Sequence, residues 1–332
     1  MNFQARKKAF FFASVFYLLV ACAMVVLRTL AVYHLVDPTT GYFQSSAPFY
    51  DVAQWVFAAA TILFFGFTLL FGFRFAEKKE ADDGVFPHIH SKTRLTTGTR
   101  LLFANDSLLR IFISAFCGFS LITFPLLSLL EGPGQAQVQN AYSDFSNLFS
   151  SYGFDAALNV LAILAGLALL LQYTPVLPLY SLRRTCLSLF PVIWGVLHLA
   201  VHFLRASRSA PGEYHNWQML MLAIIPVFFF LQTLFTTPRR PLYRYNLFFA
   251  LGIIGTAATL VFAVPTLLLS SFWYYSAYTE FSTLYSLMML VSVALYMLVF
   301  ALGSLSSLKK IEDENALKDP ENAQLSHEGP TL

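Results

Sequence analysis

Eight long apolar runs dominate the chain, at about 9–33, 52–73, 107–130, 155–180, 185–205, 217–236, 245–271 and 279–304. A hydrocarbon layer about 30 Å thick is crossed by about 20 residues of helix, and each run is about that long. In lipid a segment must satisfy its own backbone hydrogen bonds, so these runs are predicted to be helices. Nothing in them alternates as a barrel strand would. The fold class expected is therefore all-α: a polytopic bundle of about eight transmembrane helices, residues 1–308, followed by a polar, disordered tail, 309–332. Composition agrees, because the 332 residues are 57% hydrophobic and only 12% charged. About a quarter charged residues is usual for a soluble domain.

The first run extends from about Ala9 to Val32. That exceeds the 7–15 residues of a signal-peptide core, so it reads as the first membrane helix. Orientation follows from the basic residues. With eight crossings, 18 of the 21 lysines and arginines fall on the side that holds both termini. Only Arg28, Arg205 and Arg208 fall on the other. The basic side is expected to be cytoplasmic, and a seven-span reading would spoil the segregation.

Proline interrupts five runs, at Pro125, Pro175 with Pro178, Pro191, Pro226 and Pro265. Each removes a backbone donor and bends its helix. Gly252, Gly255, Thr256 and Ala257 give the seventh span a small-residue face suited to close helix packing. The first and fifth spans both end near an arginine and are followed by a Gln/Trp pair (Gln54-Trp55, Trp217-Gln218), so a four-plus-four duplication is conceivable. The three cysteines, Cys22, Cys117 and Cys186, all fall in apolar runs and match no disulfide, zinc or redox spacing; they are expected to be small buried side chains.

Two groups of residues carry chemistry. His198 and His202 near the outer end of the fifth span are spaced to share one helix face, as two ligands of a zinc ion would be. His34, Asp155, His215, Glu280 and Glu131 are the polar residues expected at a similar depth. The pair lacks the glutamate of H-E-x-x-H that serves as general base. Arg28, inside the first span, is costly in hydrocarbon unless paired or reaching the interface. Its expected partners are Asp51 and Glu280, and the three together form a candidate ligand contact. No basic, aromatic-interleaved patch for nucleic acid is present, and no Walker, nucleophile-elbow or dinucleotide motif.

The stretch Arg28-Thr-Leu-Ala-Val-Tyr-His-Leu-Val-Asp-Pro-Thr-Thr-Gly-Tyr-Phe43 resembles a recurring pattern in uncharacterised multi-pass membrane proteins of Gram-positive anaerobes. The resemblance implies a bacterial plasma membrane and no particular activity. The His-x-x-x-His pair in a multi-span chain is also similar to membrane-embedded metal hydrolases of the alkaline ceramidase kind. The separate Ser, Asp and His of those enzymes are not matched, so none of their residues is carried over. The function expected is non-enzymatic: a transport-related or sensory protein whose partners are the bilayer and a small or lipid-like ligand. The ligand would occupy an outward-facing cavity near Arg28 and the outer ends of spans five and eight. A metal-dependent hydrolase using His198 and His202 is the alternative, and a structural subunit without ligand is the third.

Overall fold

The computed structural model describes residues 3–35, 48–72, 108–131, 153–172, 182–206, 214–236, 245–271 and 281–318. They form α1 (Phe3–Leu35), α2 (Pro48–Leu70), α3 (Leu108–Glu131), α4 (Gly153–Leu171), the short α5 (Leu182–Ser188), α6 (Phe190–Ala206), α7 (Tyr214–Thr236), α8 (Tyr245–Ser271) and α9 (Phe281–Lys318). No strand occurs among the described residues. Among the described residues, seven helical stretches are long and apolar enough to cross a membrane, and Met219–Phe235 is a shorter apolar stretch within the 23-residue α7. The protein is a multi-pass helical membrane bundle.

Contacts between helices fix their directions. Ser114 and Ser128 of α3 meet Leu169 and Asn159 of α4, so those two run antiparallel. Phe124 stacks on Tyr285 while Arg110 lies over Phe300, which sets α3 antiparallel to α9. Tyr245 meets Ser304, and Thr256 meets Ala294, in an antiparallel α8–α9 pair. Phe10 packs on Phe249 and Arg28 reaches Val261, so α1 and α8 are parallel. Thr233 meets Ser188 just before α6 while Pro226 meets Gly195, and Phe235 packs on Phe248 while Ile224 meets Gly255, placing α7 antiparallel to both α6 and α8. The helices thus alternate in direction, and α1 begins at the face where α9 ends. This even parity needs α7 as a crossing, as the charge segregation expects.

Helices α3, α4, α6, α7, α8 and α9 pack in a closed circuit, each against the next, with α1 and α2 outside it against α8. The apolar window of α8 is 78% buried, whereas that of α2 is 17% buried and faces lipid. Apolar side chains gain little by leaving lipid for protein, so small residues and interhelical hydrogen bonds must supply the cohesion. Gly252 lies against Ala301 and Phe228, and Gly255 against Ile224 and Met297. The Thr256 hydroxyl, 2.7 Å from the Gly252 carbonyl oxygen, is also 3.1 Å from that of Ala294 on α9. The small-residue face read from the seventh span is the seam on which α9 docks.

Two details depart from expectation. The chain expected to leave helix at 309 continues helical to Lys318. Cys22 and Cys186 are exposed, and only Cys117 is buried, because lipid-facing positions need no protein cover. Pro175 and Pro178, expected within the fourth span, lie outside the described residues.

Candidate functional site

Arg28 lies about seven turns into α1 and is 1% exposed. Its Nη1 donates to the Val261 carbonyl at 3.2 Å, and its guanidinium carbon sits 5.5 Å from the centre of the Phe262 ring. Val261 is four residues before Pro265, and a proline cannot donate to the carbonyl of residue i−4. Arg28 therefore hydrogen-bonds the carbonyl that Pro265 leaves without its helical donor. The neighbouring Phe262 carbonyl accepts from the Thr266 hydroxyl at 3.0 Å. Asp51, by contrast, is exposed in the first turn of α2, and Glu280 lies outside the described residues.

His198 and His202 stand one turn apart on α6, both half-buried. Buried Trp194 and Val201 share their side of the helix, whereas Val196, Ala200 and Phe203 on the other side are exposed. The imidazoles thus point into the bundle, with the Trp194 ring 5.5 Å from that of His198. Among the described residues, no group of three His, Cys, Asp or Glu side chains is placed to hold a metal ion. Of the other polar residues expected at this depth, Asp155 is half-buried in the first turn of α4 and His34 is exposed at the end of α1. The side chains of Glu131, His215 and Glu280 are not among those described.

The helix circuit is filled toward its basic end. Gln232 of α7 donates through Nε2 to the Tyr296 hydroxyl of α9, both buried, and Phe229 packs on the same tyrosine at 5.7 Å. Thr233 bonds the Ser188 carbonyl at 3.1 Å, tying α5 to α7. The break between α5 and α6 at Leu189 precedes Pro191 by two residues, close to where proline sterics end a helix. Nearer the basic face, buried Arg110 of α3 lies over Phe300 at 5.9 Å.

The Gln232–Tyr296 pair yields a direct prediction. Gln232→Leu removes the donor seen on the Tyr296 hydroxyl and is expected to cost about 1–3 kcal/mol. Gln232→Leu with Tyr296→Phe removes both polar groups and is expected to recover most of that loss, measured as reversible unfolding in detergent.

A groove of about 650 Å³ opens on the lipid-facing side of α6 and α7. Val196, Leu199, Ala200, Phe203, Met219, Leu220 and Ala223 line it. Its cause is local. A Cβ on Gly195 would stand 3.1 Å from the Pro226 ring, so the two helices touch there. They leave the groove between them toward the outer end. Neither Arg28 nor the histidines line this groove.

Sequence reading missed Arg110, counted with the loop cations, and the Gln232–Tyr296 pair. Arg110 lies three residues inside the third apolar run, which is the signal that marks it. Gln232 and Tyr296 carry no such mark, since each is a single polar tip in an apolar span. No protein-family model matches the chain, and no curated protein or solved structure matches it either.

Proposed function

We propose that this multi-pass membrane protein is a non-enzymatic, transport-related or sensory protein that binds a lipid-like ligand, with a hydrocarbon chain in the α6–α7 groove. The observation that carries the reading is the groove itself. Its lining is wholly apolar, and its volume of about 650 Å³ falls within the usual range of small-molecule sites, about 300–1,000 Å³. It starts at the Gly195–Pro226 contact and opens on the lipid-facing surface toward the outer end of the span, so a chain can enter sideways from the bilayer. Such a ligand gains little from leaving lipid as such. Its gain is the contact with a concave wall that straight helices would not provide. The zinc-dependent alternative rests on His198 and His202 alone, with no third ligand among the described residues, so the groove is the better supported site.

Photo-crosslinking tests this. A diazirine-bearing fatty acid is expected to label purified wild type in nanodiscs saturably, at one per chain, on α6 or α7. Ala200→Trp and Ala223→Trp fill the groove and are expected to reduce that labelling at least tenfold. Ala59→Trp, on the exposed face of α2, is expected to leave it intact. Labelling that never saturates, or that survives both filling substitutions, would mean ordinary boundary lipid and sink the reading.

A further inference from the structure

Three described helices carry an internal proline: Pro125 in α3, Pro226 in α7 and Pro265 in α8. Each withdraws a donor from the carbonyl four residues earlier, Leu121, Leu222 and Val261 respectively. Only at Val261, among the described residues, is a side chain seen donating to that carbonyl, and the donor comes from another helix, 233 residues away. A guanidinium inside a membrane segment is expensive, and neutral donors such as Thr266 supply the next carbonyl perfectly well. The position therefore uses a strong, charged, cross-helix donor where two comparable kinks go without one.

We propose that Arg28 is the latch of a hinge in α8 at Pro265. Arg28 comes from α1, which lies outside the helix circuit and runs parallel to α8, so it clamps the kink from the periphery. With the guanidinium on Val261, the outer end of α8 beyond Pro265 is held at one angle to the core. With it withdrawn, the Val261 carbonyl has no donor, and the turn before Pro265 can bend to find one. Phe262, packed under the guanidinium, is the surface over which the latch slides. The section of α8 below the kink stays fixed by Gly252, Gly255 and Thr256 against α9. Motion is thus confined to the segment from Thr266 onward.

The test places nitroxide labels at Leu268 on α8 beyond the kink and Met288 on α9, both partly exposed, on the full chain with Cys22 and Cys186 replaced by alanine. Wild type in nanodiscs is expected to give one narrow distance population by pulsed electron resonance. Arg28→Gln is expected to broaden it or add a second population, and to lower the melting temperature by on the order of 5 °C. Pro265→Ala restores the amide, so in that background Arg28→Gln is expected to give a narrow distribution again, with at least half the melting shift gone. Arg28→Lys keeps a donor and is expected to stay closer to wild type than Arg28→Gln. An unchanged distribution in Arg28→Gln overturns the latch. So does an equal loss of stability, or of folding, in the presence and absence of Pro265.

Discussion

Gly166→Leu is expected to abolish the folded bundle, and Gly166→Ala to destabilise it by about 3 kcal/mol, at the upper end of the overpacking range. A Cβ at Gly166 would stand 2.5 Å from the Gly118 carbonyl oxygen and 2.8 Å from Ile122 on α3. The first of these is backbone, which cannot swing aside as a side chain does. Gly118 meets the same crossing from the other side, its Cβ falling 3.0 Å from the Gly166 oxygen and 2.8 Å from Leu170. The two helices therefore touch backbone to backbone, and the nearby Ser114–Leu169 bond depends on that approach. Gly66 in α2 is the control, with nothing within 4 Å of its added Cβ. Gly66→Ala is expected to be neutral or to stabilise by up to about 1 kcal/mol through helix propensity. Unfolding equilibria in detergent or by steric trapping read both. If Gly166→Ala and Gly66→Ala behave alike, the α3–α4 crossing is looser than a backbone-to-backbone contact.

The fold was legible from the sequence because span length and charge segregation are one-dimensional properties. Hydrophobic runs of about 20 residues need no knowledge of neighbours to be read as helices. The basic residues then set the parity that the antiparallel contacts of α7 bear out. The small-residue face of α8 was legible for a similar reason, since glycines one turn apart have little use in a lipid-facing surface. What the sequence does not carry is which helix meets which. Arg28 was visible as a costly charge, and Asp51 and Glu280 were its expected partners. Its observed acceptor on α8 is a backbone carbonyl, a group every residue has. The signal that would have found it is indirect. Pro265 marks Val261 as a carbonyl in need of a donor, and an arginine within an apolar span is a donor in need of a site. Two such needs at similar depth make a pairing rule that works on residue types and positions alone. The groove was not legible at all, because it arises from the spread of two helices around the Gly195–Pro226 contact.

Gly303→Ala is expected to cost about 1–3 kcal/mol in wild type and close to nothing once Arg110 is shortened. A Cβ on Gly303 would lie 2.6 Å from Arg110 Nε and 2.8 Å from Nη2, so the guanidinium occupies the space a side chain would take. The glycine is there for the arginine. Arg110 lies over the Phe300 ring, and beside it Tyr245 and Ser304 are joined by a 2.9 Å hydrogen bond between α8 and α9. Arg110→Ala alone is expected to cost about 2 kcal/mol or more, the worth of a desolvated cation–π contact plus lost packing. In the double variant the alanine methyl enters space the arginine has vacated. The two costs should then fail to add by about the whole penalty of Gly303→Ala, which a double-mutant cycle on unfolding free energies measures directly. Strict additivity would mean that the guanidinium moves away from Gly303 at no cost. Arg110 would then be a mobile charge at the basic face of the bundle, and not the wedge that sets the spacing of α3 and α9. The same cycle separates the two buried arginines. Val261, where Arg28 binds, is about 24 Å along α8 from Tyr245. Arg28→Gln should therefore add independently to Gly303→Ala, as sites that far apart do.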